Sequence, residues 1–238
     1  MTDNLKNRRG IVFAAGIAGP ALIATTMLAS CGRGKDAEKE TGAVEDLMRE
    51  HGVLRRAILV FRESRARLRQ DVHSFDAKLI ADTAHLFRTF GEDYHERKLE
   101  EAYIFPAVRK AGGPAAGYVD ILTAQHNRGR EITAYILSVT SKGKIGAADA
   151  VPLANAFDTF ELMYANHTTR EDTIIFSAWK RSLSEHELDE MGEKFEDIEK
   201  QTFGKDGFDD AVEKMDHIEQ GLGLSDVAQF TAPKPSAG

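Results

Sequence analysis

Apolar residues recur at intervals of three and four along most of the chain, which is the period of an amphipathic helix. The first predicted helix begins near residue 43, and its apolar stripe consists of Val44, Leu47, Met48, His51, Leu54, Ile58 and Phe61. His51 therefore lies on the apolar face, whereas the arginines of this segment fall mostly elsewhere. No later segment shows the alternation typical of a β-strand, so the pattern predicts an all-α protein.

Three further long helices are predicted from the same periodicity. They cover residues 76–110, 116–141 and 151–181. Glycine-containing turns separate them, because Ala111-Gly112-Gly113-Pro114 ends the second helix and two glycines follow the third. Amphipathic helices of this length joined by short turns favour an antiparallel four-helix bundle.

The pattern divides the chain after residue 31 into three parts. Residues 32–41 are polar and predict a linker, and residues 42–182 form the predicted bundle. Residues 183–238 form an acidic C-terminal extension with short helices over 185–202 and 208–220. A lid and a stabilising clamp are both open for this extension, and its dense charge favours a clamp on the bundle surface.

Composition limits the classes of partner. The 238 residues carry a net charge of −7, and no basic face stands out along the folded region, which argues against nucleic acid. We expect a small-molecule partner or none. Cys31 is the only cysteine, so an intramolecular disulfide framework and a cysteine-rich zinc site are excluded.

Residues 1–31 have the pattern of an export signal. A basic start is followed by an uncharged stretch over residues 11–30 and then by Leu28-Ala29-Ser30-Cys31, which resembles a bacterial lipobox. That resemblance implies that Cys31 becomes a lipidated N-terminus. The protein is therefore predicted to be an exported lipoprotein, anchored in the membrane and facing the periplasm or the cell exterior.

Two alternatives stay open for this segment. An uncleaved stretch of about 20 apolar residues could also span a bilayer as a single anchor. Gly16, Gly19 and Pro20 in its middle favour cleavage instead. Arg8-Arg9 resembles a twin-arginine signal, which would export the protein already folded, but ordinary secretion fits equally well.

Candidate metal ligands occur as one pattern used twice. The six residues are His51, His95, Glu100, His126, His167 and Glu171. The intervals between corresponding members of the two halves are 75, 72 and 71 residues. Nearly equal intervals predict two helical hairpins related by a pseudo-two-fold axis, each of which supplies two histidines and a glutamate.

The spacing within each half decides which side chains can face one ion. His167 and Glu171 are four residues apart, roughly 40° around a helix, so both can point to the same side. His95 and Glu100 are five apart, roughly 140° on a regular helix, which is a difficulty. Glu101 and Glu96 are therefore alternatives to Glu100 as the inward carboxylate.

Alignment of the two halves offers a solution to this difficulty. Each candidate glutamate precedes a phenylalanine, Phe105 or Phe176, by five residues, whereas the histidines precede it by ten and by nine. One extra residue thus lies between His95 and Glu100. A π-bulge would accommodate it, and such bulges are frequent at functional sites.

A buried ionised glutamate is costly unless something compensates its charge, and a metal ion is the natural compensation. Six nitrogen and oxygen ligands without a cysteine form a reasonable coordination shell for two iron ions, with manganese as the other possibility. Two ions that share bridging carboxylates would follow from the repeated pattern.

At these residues the sequence resembles the hemerythrin-like, or HHE cation-binding, family, over residues 42 to 182. The motifs that carry the resemblance are Glu50-His51, Tyr94-His95-Glu96 through Glu100-Glu101 to Phe105-Pro106, Gln125-His126-Asn127, and His167 through Glu171-Asp172 to Phe176. The resemblance implies a non-haem di-iron centre with the four histidines as terminal ligands and the two glutamates as bridges.

One departure bears on activity. Oxygen-carrying hemerythrins have a further histidine one turn from the first on the third helix, and here Arg130 stands one turn after His126. Fewer terminal ligands leave more open coordination positions, which favours reactivity with O2, peroxide or nitric oxide over simple oxygen carriage. Whether the protein is a carrier, an enzyme or a sensor stays open, and the sequence reveals no redox partner.

Two other interpretations remain. A ferritin-like carboxylate bundle uses Glu-x-x-His on two helices, and Glu92-Asp93-Tyr94-His95 matches this motif once, without a second copy. The chain could also be a metal-free structural lipoprotein whose inward histidines only form hydrogen bonds. His85, which lacks a paired carboxylate, is interpreted as structural.

Overall fold

Four long helices form the bundle. The computed structural model describes residues 41–72 and 76–235, and the predicted export signal, Cys31 and nearly all of the predicted linker lie outside these residues. Helix α1 covers Ala43–Gln70, α2 covers residues 77–111, α3 covers Val119–Thr140, and α4 covers residues 150–181. The described residues contain no strand, so the predicted all-α class is confirmed.

Helices α2 and α4 each contain a π-helical segment. In α2, an α-helical segment Ala77–Leu86 continues into a π-helix Phe87–Ile104 and then into an α-helix Phe105–Ala111. In α4, a short π-helix Glu171–Ile175 interrupts the α-helix. The π-helix in α2 confirms the predicted irregularity between His95 and Glu100. The one in α4 was not expected from the sequence.

The helix ends follow from local sequence. The side chain of Asp76 caps α2 by accepting a hydrogen bond from the backbone N–H of Lys78. Gly112 and Gly113 then end α2 with positive φ angles of 74° and 75°, which glycine adopts at low cost. Helix α3 begins three residues later than predicted, because Pro114–Tyr118 forms a 3-10 turn ahead of it.

Neighbouring helices of the bundle run antiparallel. Between α1 and α4, Arg69 pairs with Asp158 at one end, and His51 contacts Asp172 near the other. The bundle core contains a layer of aromatic rings next to these contacts. Phe61 packs on Phe157 with centroids 4.8 Å apart, and Phe87 packs on Phe160 at 5.0 Å.

The C-terminal extension folds back on α1 and α2. Its helices are α5, Glu185–Phe203, and α6, Gly207–Leu222. A capping box of Ser184 and Glu187 begins α5. Arg56 of α1 pairs with Glu219 of α6 at 2.6 Å. None of the helices within the described ranges is both long and apolar enough to cross a bilayer.

Candidate metal centre

Side chains from all four bundle helices meet in one buried layer. They are the six predicted ligands, His51 on α1, His95 and Glu100 on α2, His126 on α3, and His167 and Glu171 on α4. None is more than 3% exposed. Every imidazole directs Nε2 toward the shared interior, where the two carboxylates lie between the rings.

The glutamates stand between the two pairs of histidines. Glu100 places Oε1 3.4 Å from His95 Nε2 and Oε2 3.2 Å from His126 Nε2. Glu171 places Oε2 3.0 Å from His167 Nε2 and 3.6 Å from His51 Nε2, and its Oε1 lies 3.6 Å from His126 Nε2. Glu100 therefore offers one oxygen to each pair of histidines, whereas Glu171 places both oxygens near the pair His126 and His167, and one of them also lies 3.6 Å from His51.

These atoms form two groups, each compact enough to hold one cation. His51, His95 and Glu100 form the first group, and Glu100, His126, His167 and Glu171 form the second. Glu100 belongs to both groups. We call these groups position 1 and position 2.

The π-helix in α2 explains how Glu100 faces the same side as His95. A π-helix has more residues per turn than an α-helix, so a spacing of five residues brings two side chains onto one face. Glu101 instead turns toward α3, where its Oε1 lies 2.8 Å from His126 Nδ1. Glu96 pairs with Arg130 at 3.0 Å. Of the three carboxylates considered for this place, Glu100 is the one between the histidine pairs.

The two halves repeat this backbone detail. The backbone N–H of Phe105 donates to the carbonyl of Glu100, and that of Phe176 donates to the carbonyl of Glu171. Both are hydrogen bonds across five residues, which defines a π turn. The equal glutamate-to-phenylalanine spacing in the sequence therefore reflects one local conformation used twice.

A ring of hydrogen bonds orients the four imidazoles through Nδ1. The partners are Glu50 for His95 at 2.5 Å, Glu101 for His126 at 2.8 Å, Gln125 for His167 at 3.0 Å, and Asp172 for His51 at 2.7 Å. Each contact joins neighbouring helices, so together they link α1, α2, α3 and α4 in a closed circuit. An Nδ1–H that donates to an outer acceptor leaves Nε2 free to ligate metal.

Buried atoms without a hydrogen-bond partner show that this layer fits a cation. They include both oxygens of Glu100, both oxygens of Glu171, and Nε2 of His126. Buried polar groups in native proteins almost always have a partner, and unpaired carboxylate oxygens are especially costly. Cations bound in the two groups would give these five atoms partners.

The carboxylates and imidazoles strongly influence one another's pKa values. Burial favours the neutral acid of Glu100, yet the neighbouring His95 and His126 hold its pKa well below the usual range. Burial likewise opposes a charged His95, but Glu100 and Glu50 raise the pKa of its imidazole. The layer is therefore built around anionic carboxylates and compensating positive charge.

Several histidines outside the six are not part of this layer. His85 is exposed on α2, and the side chains of His186 and His217 are 84% and 72% exposed. Arg130, one turn after His126, turns outward to Glu96 and Glu101. Glu92, from the ferritin-like motif, is fully buried but pairs with Arg88 and belongs to neither position.

The sequence interpretation missed the residues that bind Nδ1. Glu50, Gln125 and Asp172 occur in the motifs that carry the family resemblance, but no role was derived for them. A signal was present, because each of the four partners is the direct sequence neighbour of a ligand. The partner contacts the ligand of an adjacent helix, so its role depends on how the helices are arranged.

A buried layer of imidazoles and carboxylates inside four antiparallel helices defines a cation-binding helical bundle. The chain belongs to the hemerythrin family, since the model of the hemerythrin HHE cation binding domain matches residues 42–179. The match ends in the last turn of α4. Helices α5 and α6 therefore lie beyond the matched region.

The chain is also similar to proteins without an assigned role. It is 40% identical over 190 residues to the uncharacterized protein Rv1995 of Mycobacterium tuberculosis and to the uncharacterized protein Mb2018 of Mycobacterium bovis. The aligned region covers 79% of this chain and 73% of each relative. No solved structure matches the chain.

Proposed function

We propose that the protein is a non-haem di-iron protein that reacts with O2 or a related small oxidant, such as peroxide or nitric oxide. The observation that carries the proposal is the place of Glu100, which directs one oxygen to His95 and the other to His126. A carboxylate that faces two groups of imidazoles is suited to bridge two cations. Iron suits this mixture of nitrogen and oxygen ligands, and manganese is the other candidate.

The chain's own residues prepare the site for such chemistry. The outer hydrogen bonds hold Nδ1 of each histidine and so fix the tautomer that presents Nε2 inward. Phe176 and Phe105 stack on His51 and His126 and exclude water from the layer. Two ferrous ions held there would supply two electrons to one oxidant molecule.

Arg130 supports reactivity over reversible carriage. Its guanidinium is bound to Glu96 and Glu101 at 3.0 and 2.6 Å, so it adds no ligand to position 2. A cation at position 2 would keep coordination sites for a small molecule.

Metal analysis of the purified protein tests the proposal directly. We expect about two iron ions per chain after iron supplementation, from the two ligand groups. We also expect an absorption change when the reduced protein meets O2, peroxide or nitric oxide. Failure to take up iron or manganese under these conditions would leave the alternative of a metal-free structural bundle.

The ferritin-like alternative predicts a different ligand set. It requires Glu92 to coordinate, whereas the buried Glu92 pairs with Arg88 and belongs to neither ligand group. Glu92→Gln should therefore leave the metal content unchanged if the hemerythrin-like ligand set is correct. Loss of metal in this variant would favour the ferritin-like set instead.

We further propose that the protein is an exported lipoprotein anchored through Cys31. The support is the order of basic, apolar and lipobox-like residues in the first 31 positions. Metabolic labelling with a fatty acid should mark the wild-type protein and not Cys31→Ser. An unlabelled wild-type protein would contradict the proposal.

A further inference from the structure

The outer partner of His95 differs from the other two carboxylate partners. Asp172 pairs with Arg55, and Glu101 pairs with Arg130. Glu50 has no arginine or lysine partner among the residues that the structure describes, and it accepts a hydrogen bond from the Tyr94 hydroxyl at 3.0 Å. Its charge is thus left largely for the imidazole of His95, 2.5 Å away.

Tyr94 orients the Glu50 carboxylate through one of its oxygens. The Tyr94 hydroxyl donates to Oε1 of Glu50, with the two oxygens 3.0 Å apart. The second oxygen, Oε2, is then directed to Nδ1 of His95.

The ring of Tyr94 is covered by the C-terminal extension. Phe203, the last residue of α5, meets Tyr94 edge to face with centroids 5.2 Å apart, and it also packs near Phe90 at 6.1 Å. Edge-to-face packing is a favourable and directional arrangement of aromatic rings. The extension thus contacts the hydrogen-bond chain that ends at His95.

Gly207, the first residue of α6, lies directly against the ring of Phe203. A Cβ atom at Gly207 would lie 2.3 Å from Cδ2 of Phe203 and 2.7 Å from its Cε2. Gly207 does not have a positive φ angle. A glycine is therefore needed here because a side chain would not fit against Phe203, and not because of the backbone conformation. The turn between α5 and α6 is further closed by Glu199, whose Oε1 accepts from the backbone N–H of Phe208 at 2.6 Å.

We propose that the C-terminal extension is part of the metal centre: Phe203, seated on Gly207, holds Tyr94 on Glu50 and thereby positions the imidazole of His95 for position 1. The inference rests on the proposed binding of two ions. It goes beyond the family match, which ends at residue 179. Phe203, Gly207 and Tyr94 are positioning residues, since they act on the ion through Glu50 and His95.

The first test follows the release of iron to a chelator from the loaded full-length chain. Partners of ligating histidines commonly change metal affinity by about 10- to 100-fold. We therefore expect Tyr94→Phe, Phe203→Leu and Gly207→Ala each to accelerate the release of one of the two ions about tenfold. The other ion, at position 2, should leave at the wild-type rate.

Ile218→Ala is the matched control. Ile218 is a buried residue of α6 that packs beside Leu79 and Leu86 of α2, away from Tyr94. The substitution weakens the packing of the same extension, but it does not affect the hydrogen bonds from Tyr94 through Glu50 to His95. Equal acceleration of both ions, no acceleration in the three variants, or the same single-ion effect in Ile218→Ala would each overturn the inference.

A second measurement uses the metal-free chain and so separates this inference from the proposed function. The Nδ1–H proton of His95, shielded by Glu50, should give a low-field proton resonance with slow exchange. Phe203→Leu and Tyr94→Phe should speed its exchange, because the shielding contacts open more readily, whereas Ile218→Ala should leave it at the wild-type rate. Unchanged exchange refutes the positioning role even if iron binds, and failure of the wild type to bind iron refutes the proposed function instead.

Discussion

Phe176 stacks on the imidazole of His51 with ring centroids 5.4 Å apart. The same relationship recurs between Phe105 and His126 at 5.3 Å. In each case a phenylalanine from one helical hairpin covers a histidine from the other. The pseudo-two-fold arrangement expected from the repeated intervals therefore extends to the aromatic residues that enclose the layer.

Insertion of one alanine after Arg97, whose side chain is half exposed, should abolish metal binding at both positions. The insertion puts His95 and Glu100 six residues apart, roughly 240° around an α-helix, so Glu100 turns away from the histidines, whereas removal of a residue would only restore the four-residue spacing of His167 and Glu171. Metal content measures the effect, and circular dichroism should show that the helices persist. Arg97→Ala keeps the spacing and is the control, so loss of metal in that variant would contradict the argument.

Replacement of the shared carboxylate should cost more metal than replacement of a terminal histidine. Glu100→Ala removes a ligand from both positions, so we expect almost no bound iron. His167→Ala removes a ligand from position 2 alone, so about one ion per chain should remain, at position 1. Equal stoichiometry in the two variants would show that Glu100 does not bridge.

Asp172→Asn should weaken metal binding although Asp172 is not a ligand. The substitution removes the anionic partner of His51 Nδ1, and loss of such a partner lowers metal affinity about 10- to 100-fold. Competition with a chelator measures it. Asp158→Asn breaks ion pairs with Arg65 and Arg69 on the same helix interface and should leave affinity unchanged.

The metal-free protein should lose stability as pH rises from about 4.5 to about 7. Burial raises the pKa of Glu92 to about 7, with Thr133, Arg88 and Arg130 lowering it only in part and Glu96 raising it. A carboxyl whose pKa is higher in the folded state favours folding when it is protonated, so its contribution is lost above that pKa.

Urea unfolding at several pH values measures this dependence. Glu199, with a pKa raised to about 7, and Asp46, raised to about 6, act with the same sign. Glu92→Gln should therefore reduce the slope of unfolding free energy against pH without removing it. A slope that is unchanged in this variant would mean that Glu92 is ionised in the folded protein across the whole range.

The sequence predicted the fold well because the bundle depends on the periodic spacing of apolar residues along each helix. The stripe that contains His51 and the glycine-rich turn after α2 required no knowledge of neighbouring helices. The choice among Glu100, Glu101 and Glu96 was harder to predict. It depends on the number of residues per helical turn, because about one extra residue per turn changes which side chain faces inward. Comparison with the α4 half predicted the irregularity, but the length of the π-helix could not be read from the spacing.

The contacts between helices were harder to predict than the helices themselves. Glu50 adjoins His51 in sequence and contacts His95, and Phe203 reaches Tyr94 from more than a hundred residues away. Such contacts depend on the relative rotation of packed helices, which periodicity does not determine. The sequence therefore predicted the extension only as a clamp or a lid, with the clamp favoured.

The five-residue interval between His95 and Glu100 also has an evolutionary consequence. Gain of a single codon in this interval is enough to turn the carboxylate away from the histidines, whereas loss of one codon gives the four-residue spacing of His167 and Glu171. Homologous genes can thus be sorted by the length of this interval, before any protein is purified.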